Sequence, residues 1–147
     1  MVAVIIVVSM QFSVSDQDYF ESARIVLIGY STDMIVLLNQ AESNPSVENR
    51  TAVFTLIDKQ LKAIKTIQKF EEIPDEYIAF HDGLLALCKD EEICLTEYKA
   101  LLSSGQELSK EEIANYMALR SSNYQWLMHA YAEFSQRKAI HAIFGIF

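Results

Sequence analysis

A chain of 147 residues, 51% hydrophobic and 22% charged, is long enough for one domain to bury a core without disulfides or metals as staples. Four glycines and two prolines are too few breakers for a sandwich or barrel of many short strands. A formal charge of −8 argues against nucleic acid or anionic membrane as a partner, because acidic groups would be desolvated against a like-charged surface.

Residues 1–15 carry no charged side chain. The apolar run Val2 to Val8 is too short for a bilayer-spanning helix, which needs about 20 residues, so no stable membrane span is expected. It ends in Ser13-Val14-Ser15 ahead of Asp16, the small-residue spacing of a secretory cleavage site, although no Lys or Arg precedes the run. Export with cleavage after Ser15 is therefore expected, leaving residues 16–147 as the domain. The alternative is a cytoplasmic protein in which residues 1–15 are a structural strand or helix extension.

Four helices follow by periodicity. The first is predicted from Asp16 to Glu42, with Phe20, Ala23, Leu27, Tyr30, Met34, Leu37 and Ala41 along one stripe and acids at its start, where they favour the helix dipole. Ser43-Asn44-Pro45-Ser46 is a turn by composition. The second helix runs from Val47 to Phe70, with Val53 or Phe54, Ile57, Leu61, Ile64, Ile67 and Phe70 inward. Its Lys59, Lys62, Lys65 and Lys69 lie beside Asp58, Glu71 and Glu72 and read as a solvated face.

The third helix, Ile73 to Leu102, is the stretch around which the others are expected to pack: Tyr77, Phe80, Leu84, Leu87, Cys94, Tyr98 and Leu101 recur at helical spacing. Pro74 suits its first turn and Gly105 its close. The fourth opens on the capping box Ser109-Lys-Glu-Glu112 and carries Ile113, Met117, Arg120, Tyr124, Leu127, Tyr131 and Phe134. Its Arg137 and Lys138 suit a C-terminal end. Short loops force neighbours to run oppositely, so the expected architecture is an all-α, antiparallel, up-down-up-down four-helix bundle. Trp126 and the tyrosines read as core.

Two charges interrupt the stripes. Glu91 is in phase with Leu84 and Tyr98, and Arg120 with Ile113 and Leu127. Both lie about fifteen residues from the centre of the turn joining the last two helices, so they are expected at one level of the bundle, as a buried ion pair that fixes register. A polar pocket for a small ligand or metal, built from His81, Glu91, Arg120 and Tyr124, is the alternative. Cys88 and Cys94 are six apart in one helix, beyond disulfide reach, and read as two thiols behaving as small hydrophobes.

There is no phosphate loop, nucleophile elbow, His-Glu-x-x-His, Glu-x-x-His pair or Cys-x-x-Cys-His, so no catalytic residue, metal or cofactor is assigned. The expectation is a non-catalytic, acidic bundle, acting on an unknown protein partner or through a homo-oligomer.

Overall fold

A computed structural model describes residues 18–144; the side chains of residues 31, 122–124, 134–135 and 137–144 lie outside the description. Residues 1–17, on which the export expectation rests, are likewise outside it, as is the side chain of Tyr124. Among the described residues the protein is all-α, a four-helix bundle without strands.

The first rod, α1, is α-helical over residues 18–24, passes through a π-helical turn at Ile25–Gly29 and resumes as Ser31–Ser43. Tyr30 joins the two parts with φ −119° and ψ 0°. The second, α2, spans Val47–Gln68; the Ser46 hydroxyl caps it by accepting from the Asn49 N–H at 3.1 Å. Pro74 leads into a 3₁₀ turn at Asp75–Tyr77 that feeds the third rod, α3, Ile78–Ser103. That helix closes on Gly105, whose φ of 81° lets the Gln106 N–H reach back to the Leu101 carbonyl. The expected capping box opens the fourth rod, α4, Lys110–Phe144: the Ser109 N–H donates to Glu112 Oε2 at 2.7 Å, and the Glu112 N–H to Ser109 Oγ at 3.1 Å.

The core is a single cluster drawn from all four rods, including Leu27, Met34 and Leu38 of α1, Ile57 and Ile64 of α2, Leu84 and Leu95 of α3 and Leu127 of α4. Contacts between rods run in opposed order: α2 meets α3 at Asp58–Lys99 and Gln68–Glu92, and α3 meets α4 at Glu91–Arg120 and Tyr98–Glu112. One end is sealed by rings, with Tyr19 edge-on to Phe70 at 5.4 Å and Phe20 edge-on to Tyr77 at 5.1 Å and Tyr131 at 6.1 Å.

Two expectations about the stripes change. On α3, Leu95 and Leu102 are buried, while Cys94 and Leu101 are only half-buried. The inward line Leu84, Leu87, Glu91, Leu95, Tyr98, Leu102 keeps to the helix period of about 3.6 residues, whereas the expected line stepped slightly too short and drifted off the seam. Trp126 is not core: it is 54% exposed, lying across Gly83 of α3 beside buried Leu127. A Cβ on Gly83 would stand 2.6 Å from the ring, so the missing side chain is what lets the indole approach α3 this closely.

Candidate functional site

Each rod contributes to one polar centre. Glu91 is 0% exposed, and its carboxylate accepts three hydrogen bonds: from Arg120 Nη1 to Oε2 at 2.8 Å, and from the Tyr116 hydroxyl and Gln60 Nε2 to Oε1 at 2.8 and 3.1 Å. Arg120 and Gln60 also reach across the bundle to the π turn of α1. Arg120 Nη1 donates to the Val26 carbonyl at 3.2 Å and Nη2 to the Leu27 carbonyl at 2.6 Å, while Gln60 Nε2 donates to Val26 at 3.0 Å. A π turn carries its carbonyls off the regular helical ladder, and here two of them face the donors of α2 and α4.

The phase of the apolar stripes explains why these side chains meet. Gln60 sits four residues from Leu56 and from Ile64, so α2 cannot bury its seam without burying the amide. Tyr116 is three residues after Ile113 on α4 and turns inward with it. The Arg120 guanidinium opposes the Glu91 carboxyl at contact distance, so a base faces an acid at the centre. Burial holds the Tyr116 phenol protonated well above the usual range, reinforced by the negative charge of Glu91 and partly offset by Arg120. Burial, with Glu91 second, pushes the Cys88 thiol up to about 12, which leaves it without thiolate character at neutral pH. Gln60 Oε1 is buried and is without a hydrogen-bond partner.

The expected pairing of Glu91 with Arg120 is thus present, but His81 does not join it. His81 lies ten residues earlier on α3, about 15 Å along the axis, where its Nδ1 shares a 3.0 Å hydrogen bond with the Tyr19 hydroxyl within the aromatic end. Burial lowers its pKa, with the Asp82 carboxylate acting in the opposite sense. Sequence reasoning missed Gln60 and Tyr116. Their in-phase spacing was a signal, but amides and phenols occupy seam edges too often for phase alone to single them out. Cys88 and Cys94 are free thiols.

Two hollows are described, and neither is lined by Glu91, Arg120, Gln60 or Tyr116. One, near the Asn44–Ser46 turn, has a volume of about 20 Å³, room for one water, and is bordered by Arg50, Glu42 and Glu107. The other is an open groove of about 510 Å³ on the outside of α1 and α2, walled by Val36, Leu37, Ala52 and Leu56, with Asp33, Gln40, Thr55 and Lys59 around it. Val36 is 47% exposed and its neighbour Ile35 44%. Among the described residues no cluster of His, Cys, Asp and Glu is arranged to hold a metal, and no helix is long and apolar enough to cross a membrane.

No protein-family model matches the chain, and comparison with curated proteins and with solved structures gives no match.

Proposed function

We propose that the protein is a non-catalytic helical bundle that acts through its outer surface, by binding a protein or by self-association. The observation supporting this reading is that the polar groups of the buried centre are largely spent on one another, with Gln60 Oε1 left without a partner. The buried acid, base, phenol and amide nitrogen close on each other and on two backbone carbonyls, whereas an open groove with Val36, Leu37, Ala52 and Leu56 on its walls lies on the outside of α1 and α2. A site for chemistry needs a reactive group within reach of a substrate, and Glu91 is sealed from solvent. The ligand-pocket alternative around His81, Glu91 and Arg120 loses support on the same ground, with His81 some three helical turns away.

Light scattering across a concentration series, joined to a pull-down from native extract, tests the proposal. The expected result is a mass above 16.8 kDa that rises with concentration, or one protein captured in stoichiometric amount. A strict monomer that captures nothing overturns it. Export after Ser15 is proposed from the sequence of residues 1–15 alone; mass spectrometry of the native protein tests it, and a chain still beginning at Met1 removes it.

A further inference from the structure

We infer that the groove between α1 and α2 is the contact surface for a second copy of this chain, packed about a two-fold axis parallel to the helices. The inference rests on the association reading above and names its surface. The groove takes Asp33, Val36 and Gln40 from α1 and Lys59, Leu56 and Ala52 from α2, which returns in the opposite direction after the Asn44–Ser46 turn, so Asp33 stands across from Lys59, Val36 from Leu56 and Gln40 from Ala52. A two-fold axis running between the helices lays the α1 of one copy over the α2 of the other at the same level. Asp33 of each copy then meets Lys59 of the other, Val36 rests on Leu56, and the small Ala52 and Thr55 let the backbones approach. Four helices result, each beside neighbours of opposite direction, which is the packing the bundle itself uses.

Charge selects the partner. The molecule carries a net −8, so two copies repel over most of their surfaces. The groove is bordered by one acid and one base, and among the described residues neither Asp33 nor Lys59 has an ion-pair partner. Their exchange between copies neutralises both while the exposed Val36 leaves water.

Charge reversal tests this, because both side chains are exposed and their replacement leaves the core untouched. Three proteins are compared by sedimentation equilibrium at low salt: the full chain, D33K and K59D. Each reversal sets like charges against each other at both symmetry-related contacts and weakens the dimer by about ten-fold or more. An equimolar mixture of D33K and K59D restores opposite charges at both contacts and recovers the original affinity to within about three-fold, as a mixed dimer. Unchanged circular dichroism and melting temperature establish that both variants fold. A dimer indifferent to either reversal overturns this surface and leaves self-association standing on another face. A chain that stays monomeric at the highest attainable concentration overturns the inference together with the self-association arm of the proposed function. Capture of a different protein by a cross-linker placed with Thr55→Cys also overturns the inference, assigning the groove to that partner and keeping the interaction reading.

Discussion

Glu91 and Arg120 stabilise the bundle only as a pair. A buried charge stripped of its partner costs about 3–5 kcal/mol, while a matched apolar replacement of both is often neutral. Glu91→Leu and Arg120→Met should therefore each lower stability by roughly that amount in urea melts, and the double variant should lose less than the sum and less than the worse single change. Strict additivity would show that the two do not act as a unit. The pair was legible in the letters because a full charge in phase with leucines is rare enough to demand a partner, and counting from the Ser103–Ser109 turn supplied it. Gln60 and Tyr116 were not, since neither residue type is expensive enough at a seam to announce itself. The Val26 and Leu27 carbonyls were least legible of all: every residue has a carbonyl, and only the backbone path decides which ones turn toward a guanidinium.

At the level of helices, the ends were readable and the irregularity was not. Ser109, Glu112, Ser46 and Gly105 each perform the terminal task their chemistry suggests, because capping is settled within three or four residues. Ser109→Ala should cost about 1 kcal/mol, measured by thermal melting, through loss of the bond to the Glu112 N–H. The π turn at Ile25–Gly29 carries no comparable local mark; its apolar letters fit an ordinary helix, and its stabilising partners lie on other rods. Gly83 is a second case, since its role appears only when Trp126 is seen across it. Gly83→Ala should displace the indole from α3, giving a red-shifted tryptophan emission, while the better helix propensity of alanine, about 1 kcal/mol, offsets part of the lost contact. Unchanged emission would mean that the ring does not rest on the glycine.

For the whole molecule, acidity and basicity act on different sets of groups. His81 is buried beside Tyr19 with its pKa lowered, so the unfolded chain binds a proton that the folded chain resists; stability should fall as pH drops below about 6.5. Cys88 and the phenols Tyr19, Tyr98 and Tyr116 are shifted upward, so the unfolded chain releases their protons first, and stability should fall again above about pH 8.5. Urea midpoints across pH should thus show a plateau between these limits, and His81→Phe should flatten the acid side; an acid limb unchanged in that variant would assign it to the carboxylates instead. The general architecture was visible because a 3.6-residue period summed over four long segments survives small local errors. The Leu27 carbonyl and the guanidinium that holds it are 93 residues apart in the chain. A ribosome therefore completes three rods, with an acid turned toward their shared interior, before the residue that neutralises it exists. Until the last helix emerges, closing that seam would bury the Glu91 carboxyl without the guanidinium that meets it in the finished bundle.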